Sequence, residues 1–190
     1  MFGLVEVILL LLGLSNFSLQ PNSKPPTPDA ALQYAMPDAD IVVHVDAATF
    51  VPNNYKALMQ LANQPQIKAS PELSKVMRQL VAEADGMRGM AKSMIGIDPT
   101  TDVTDATISL QIVPRQDPLF VAAVHGKFSP ASLDKIAKLT SGQATKIGGG
   151  VIVELGGSQP AIALTKDGVL LAGTPKLVRD RLADTWKAPA

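Results

Sequence analysis

Apolar positions recur with two different spacings along this chain, and proline and glycine mark where one spacing gives way to the other. Runs of apolar and β-branched residues at 41–45 (IVVHV), 106–113 (ATISLQIV), 119–124 (LFVAAV), 150–155 (GVIVEL), 161–165 (AIALT) and 168–173 (GVLLAG) predict six strands. Gln116-Asp117-Pro118, Gly156-Gly157 and Lys166-Asp167-Gly168 are the turns expected between them. Elsewhere the spacing is three or four. Leu73, Val76/Met77, Leu80/Val81, Ala84, Met87, Met90/Ala91 and Met94 predict a long amphipathic helix over 71–95, with Gly96 beyond its end. Gly86 and Gly89 lie inside it and weaken it, which is the mark of a bend or a close packing contact. Tyr55, Leu58 and Leu61 predict an earlier helix. Leu133, Ile136, Ala137 and Leu139 predict one that stops near Gly142, and Leu177, Val178, Leu182 and Trp186 a terminal one. Ser70-Pro71, Ser129-Pro130 and Thr174-Pro175 each set a capping hydroxyl before a proline at the first helical position.

The resulting order is β-αα-β-β-α-β-β-β-α. Up to about residue 155 it matches the β-α-β-β-α-β order of a split βαβ, or ferredoxin-like, unit. The expected fold is therefore α+β: an antiparallel sheet with helices mostly on one face, a ferredoxin-like core, and a C-terminal hairpin and helix added to it. A faint internal repeat accompanies this. Phe50-Val51-Pro52 and Phe128-Ser129-Pro130 each follow a strand and lead into helical spacing, which fits either a duplicated unit or two ordinary strand-to-helix turns.

The first forty residues are of another kind. LVEVILLLLGL at 4–14 is apolar except for Glu6. It is shorter than the roughly 20 residues of a spanning helix and suits the apolar region of a secretory leader. No Lys or Arg precedes it and no Ala-x-Ala site follows, so a retained anchor or a buried helix are the other readings. Pro21, Pro25, Pro26, Pro28 and Pro37 then predict an extended spacer. The expected organisation is a leader or anchor over 1–15, a spacer over 16–38 and a single α+β domain over 39–187.

Several segments carry a resemblance: DADIVVHVDAATF, GIDPTTDV, LFVAAVHGKFSPASLDKIAKL and KDGVLLAGTPKLVRDRL. They resemble exported bacterial proteins of unknown function, with a strand ending in Val-x-Asp, a G-x-D-P-x-x-D turn, and a G-K-F strand end. Those proteins close with a D-G strand that leads into a T-P helix. The likeness covers about residues 38–186. It implies an α+β fold and an envelope destination, and it brings no catalytic residue with it. The lipobox cysteine that many exported bacterial proteins have is missing here.

Composition narrows the chemistry. Among 190 residues, 17 Lys and Arg balance 17 Asp and Glu, so there is no electrostatic footprint for nucleic acid. No cysteine occurs, which excludes disulfides, thiolate nucleophiles and Cys-based zinc sites. With only two histidines a His-rich metal centre is not expected.

The remaining candidates each have a plain structural reading. Asp98, Asp102 and Asp105 with Thr100, Thr101 and Thr104 form an oxygen-rich stretch, but calcium-loop spacing is absent and a turn is expected. Ser132 and Lys135 match S-x-x-K, without the companion elements of the penicillin-recognising enzymes. Lys146-Ile147-Gly148-Gly149-Gly150 precedes a strand instead of opening a helix, so it reads as a loop and not a phosphate cradle. His44 lies two residues before Asp46, and His125 ends a later strand. Adjacent strands could join these three into a general base or a metal site for a hydrolase, while the plain reading is polar strand ends. Met59, Met77, Met87, Met90 and Met94 suit either a core or an adaptable binding face.

The expectation drawn from all this is a non-enzymatic binding module, exported to the periplasm or beyond or tethered to a membrane by its N-terminal segment. It would hold another envelope protein or a small apolar ligand, without nucleic acid, cofactor, metal or catalytic residue. The alternative is an enzyme of unrecognised type, a metal-assisted hydrolase among the options, using His44, Asp46 and His125.

Overall fold

The computed structural model describes residues 30–156 and 159–183. Seven strands form one sheet: β1 (Ile41–Val45), β2 (Val103–Gln111), β3 (Leu119–Gly126), β4 (Gln143–Ile147), β5 (Gly150–Glu154), β6 (Ala161–Thr165) and β7 (Val169–Gly173). Their spatial order is β1-β2-β3-β7-β6-β5-β4, and every neighbouring pair is antiparallel. The fold is α+β. It consists of two meanders, β1-β2-β3 and β4-β5-β6-β7, joined where β3 pairs with β7.

This strand order corrects the ferredoxin-like expectation. In a split βαβ unit a later strand lies between the first two, so the first strand sits inside the sheet with a neighbour on each side. Here, among the described residues, β1 lies at the end of the strand order and pairs with β2, because the helices after β1 return the chain antiparallel beside it. β4 is the strand that the sequence pattern passes over: Gln143, Ala144, Thr145 and Lys146 are all exposed, so they carry no apolar signal.

Five helices occur among the described residues: α1 (Ala47–Ala62), α2 (Pro65–Ala69), α3 (Pro71–Ile95), α4 (Pro130–Thr140) and α5 (Pro175–Leu182). Alternate residues of the strands point to opposite faces. One face carries Ala106, Val124, Leu170, Ile162 and Val153, covered by Ala47 and Val51 of α1 and by Leu133, Ile136 and Ala137 of α4. The other carries Ala123, Leu171, Ala163 and Ile152, covered by Val178 and Leu182 of α5. α3 rides outside, against α1, α2 and α4. Of its 25 residues only Met77 and Ala91 are buried.

The caps follow the expected chemistry with one exception. Ser70 Oγ accepts from Leu73 N, Ser129 Oγ accepts from Ser132 N, and Gly96 closes α3 in the left-handed region at φ 78°. Thr174 does not cap α5. Its hydroxyl accepts from Phe120 N at 3.2 Å and so ties α5 to β3. The two F-x-P triplets also diverge: Pro130 opens α4, whereas Pro52 lies inside α1, which Asp46 caps. Trp186, expected at the end of the terminal helix, lies outside the described residues, as do residues 1–29 with the apolar segment and most of the spacer.

Residues 30–36 belong to the folded body, although the spacer was expected to run to 38. Ala31, Ala35 and Met36 are buried on the α5 side of the sheet. Ala31 N donates to Asp105 Oδ1 at 2.8 Å, Met36 N donates to Ser109 Oγ at 3.1 Å, and the buried Arg181 donates Nη2 to Ala35 O at 2.9 Å. Burial pulls the Arg181 guanidinium down to about 9. Leu32–Tyr34 form one 3-10 turn, which pairs Tyr34 N and Ala35 N within the segment; Ala31 N and Met36 N on either side of it find buried side-chain acceptors on β2.

Candidate functional site

The three residues expected to meet at a sheet edge are only partly assembled. β1, β2 and β3 lie side by side, so His44 and His125 do share one face. His44 sits opposite Thr107, and its Nδ1 is 2.7 Å from Thr107 Oγ1. His125 sits opposite Asp105, and its Nδ1 is 3.1 Å from Asp105 Oδ2 and 2.8 Å from Thr104 Oγ1. β2 runs between the two histidines, which sets their backbones about 10 Å apart across the sheet. Asp46 takes no part: its Oδ1 accepts from Thr49 N at 3.1 Å as the cap of α1. The carboxylate beside His125 is Asp105, a member of the oxygen-rich stretch. Strand register was the missing signal, since Asp105 and His125 meet only once β2 and β3 are aligned.

Asp105 is itself a structural bolt. It is 5 % exposed, with Oδ1 on Ala31 N and Oδ2 on His125 and Thr104. Thr104 Oγ1 lies on the Nδ1 side of the imidazole, together with Asp105. A hydroxyl there is not placed to surrender a proton to Nε2, which is what nucleophile activation by a His–Asp pair requires.

The oxygen-rich stretch folds as a turn. Asp98 takes Arg88 side-on and also accepts from Thr100 N and Oγ1 at 3.1 and 2.6 Å. Asp102 accepts Asp98 N at 2.9 Å and Lys127 Nζ at 2.9 Å. Arg88 first, then the Thr100 hydroxyl and N–H, hold the Asp98 carboxyl well below the usual carboxylate range, against the opposing effect of burial. No group of three potential metal ligands occurs among the described residues. Ser132 Oγ pairs with Ser129 Oγ at 3.3 Å. The glycine run is the β4–β5 hairpin turn: Gly149 N donates to Leu182 O at 2.7 Å, and a Cβ on Gly148 would meet that same carbonyl at 2.6 Å.

What the fold does build is a groove between α1 and α3. Phe50, Val51, Tyr55 and Leu58 line one wall, Ala84 and Met87 the other, and Pro99 and Thr100 lie at one end. Its volume is about 170 Å³, close to that of cavities known to hold a benzene-sized group. Helical spacing carries both walls onward. Leu61 follows Leu58 by one turn, and Leu80 and Leu73 precede Met87 by two and four turns, on the same side of α3. Leu61, Leu73 and Leu80 are 41 %, 49 % and 44 % exposed, and the neighbouring Val76 is 53 % exposed.

The polar rim of this groove is fixed from behind. Arg88 lies over the Tyr55 ring at 5.5 Å, and Asp98 orients its guanidinium. Tyr55 donates its hydroxyl to Asp85, the main reason its phenol titrates above the ordinary value. The methionines divide between the two expected roles: Met77 is buried, Met87 lines the groove, and Met90 is 44 % exposed.

No family model, no curated protein and no solved structure matches this chain. No helix among the described residues is long and apolar enough to cross a membrane.

Proposed function

We propose that this chain is a non-enzymatic binding module of the bacterial envelope, exported or tethered by its N-terminal segment, and that the α1–α3 groove holds its partner. The observation that carries this reading is the groove itself: an apolar trough with exposed apolar lips and a rim of preset polar groups. Pockets of this make-up are where proteins hold apolar groups. The 3–4 spacing of the lips along α3 suits an amphipathic helix of another envelope protein, whose large side chains would enter the trough one at a time.

The destination rests on the apolar segment at 4–14, the proline-rich stretch behind it and the resemblance to exported bacterial proteins. The polar candidates have local roles that need no substrate: Asp46 caps a helix, Asp98 and Asp102 build a turn, and Asp105 holds residue 31.

A photocrosslinking residue at Leu80 in the full chain, expressed in cells, tests the binding claim. A discrete adduct is expected at Leu80, none at the exposed Arg115, and none at Leu80 when Ala84→Phe fills the trough. An adduct that ignores Ala84→Phe places the partner elsewhere. Fractionation with N-terminal sequencing tests the destination, and an intact Met1 in the cytosol would refute export. Turnover of a hydrolase substrate by the purified chain, abolished by His125→Ala, would favour the enzymatic alternative.

A further inference from the structure

The α1–α3 groove has a natural counterpart in the same chain. The segment 4–14, LVEVILLLLGL, has one charged residue, Glu6, and is shorter than the roughly 20 apolar residues that span a bilayer. In water it would expose a row of large apolar side chains, so it gains by meeting an apolar surface. Leu61, Leu73, Val76 and Leu80, beside the trough, are such a surface.

Connectivity brings the two within reach. Ala31 N is fixed to Asp105 Oδ1 at 2.8 Å, so the chain enters the fold near the start of β2. Thr100, at the groove's end, lies five residues before Asp105, which is at most about 18 Å of chain. The fifteen residues 15–29 separate the segment from Ala30 and can reach about 46 Å in polyproline II geometry. That is enough to pass round the end of the sheet, from the α5 side to the groove.

We propose that segment 4–14, while it remains on the chain, is the groove's own occupant: laid as a helix along α3 from the Thr100 end, it closes the groove to the partner, and its removal opens it. This rests on the reading of the groove as the binding site. Charge fits the direction. With Leu14 beside Met87, Glu6 lies eight residues further on, and eight residues before Met87 on α3 stands Gln79, next to the exposed Arg78. Lys75 follows within one turn. The tether holds the segment at a millimolar effective concentration, so anything else that enters the trough must compete with it.

The test uses the full chain with Met1 retained, labelled at its methionine methyl groups, beside the same chain carrying Leu9→Lys and Leu11→Lys. Indole is expected to bind at Met87 about tenfold more tightly in the substituted chain, where the segment no longer competes. The chain has no cysteine, so Ser15→Cys takes a single nitroxide label. That label should broaden the Met87 methyl, and Leu9→Lys with Leu11→Lys should abolish the broadening. Arg78→Glu should weaken it, and Glu6→Lys in the same chain should restore it. Equal indole affinity in the two chains would overturn the proposal and leave the groove reading standing. So would broadening of Met87 in an unlabelled copy mixed with nitroxide-bearing chain, since the segment would then be reaching a second molecule. A Met87 methyl that ignores indole in both chains would overturn the groove reading, and this proposal with it.

Discussion

Asp98 receives the Arg88 guanidinium along one side, with Nε at 2.9 and 3.1 Å from its two oxygens and Nη2 at 2.7 Å from Oδ2. The pair joins the last part of α3 to the turn before β2 and sets one end of the α1–α3 groove. Asp98 is 7 % exposed, and removing it leaves Arg88 and the Thr100 N–H and hydroxyl without their common acceptor.

Asp98→Ala should therefore lower stability by roughly 1–2 kcal/mol, mainly by leaving the Thr100 N–H and hydroxyl without their acceptor. Urea unfolding monitored by circular dichroism measures this. The pH dependence has a definite sign. A carboxyl held below its ordinary 3.8 binds protons more readily unfolded than folded, so its stabilisation is complete above that value and fades as pH falls towards the folded one. Acid titration should show a steeper stability loss below about pH 4 in the native chain than in Asp98→Asn.

Asp105→Ala removes the acceptor from Ala31 N while that amide stays buried. A cost of about 1–3 kcal/mol is expected, together with fast hydrogen exchange at Ala31. Asp105→Asn keeps one acceptor and should cost less. Unchanged protection of Ala31 in Asp105→Ala would show that residues 30–36 are held by apolar packing alone.

The glycines separate into two kinds. A Cβ on Gly86 or Gly89 would meet nothing within 4 Å among the described residues, so of the bend and the close packing contact expected of them the contact is not seen there. Gly86→Ala and Gly89→Ala should each stabilise the fold by about 0.5–1 kcal/mol. Gly126 and Gly150 are the opposite case, because a Cβ there would collide with the Asp102 and Leu164 carbonyls. Alanine at either should cost about 1–3 kcal/mol. Thermal denaturation of the four variants checks both directions.

These residues also show how far the sequence could be read. The strands with apolar cores and the bounds of α3 were legible, because Ser70-Pro71 and Gly96 punctuate a strong 3–4 period. β4 was not, because an edge strand facing water has no apolar period to show. Strand order was not legible either. Nothing local in β1 says whether its neighbour will be β2 or a later strand. The same limit hid the groove. Helical spacing alone gives Leu58 and Ala84 as core-type positions and leaves Met87 open between a core and a binding face; the trough exists only once α1 packs on α3. Sequence groups Asp105 with its neighbours, one of which, Thr104, it does bond, but its other two partners are 20 and 74 residues away.

Filling the trough should be tolerated better than emptying the core. Ala84→Phe projects into existing space and is expected to change stability by less than about 1.5 kcal/mol. Leu133→Ala, on the buried face of α4, should cost roughly 2–5 kcal/mol. The comparison of unfolding midpoints shows whether the groove is a built space or a region that closes on itself.

The most direct measurement is a titration of the full-length chain, labelled at its methionine methyl groups, with indole as an apolar probe. The account predicts saturable shifts at the Met87 methyl, none at the buried Met36 methyl across the sheet, and loss of the response in Ala84→Phe. A Met87 methyl indifferent to the probe, or one that responds equally in Ala84→Phe, would contradict it.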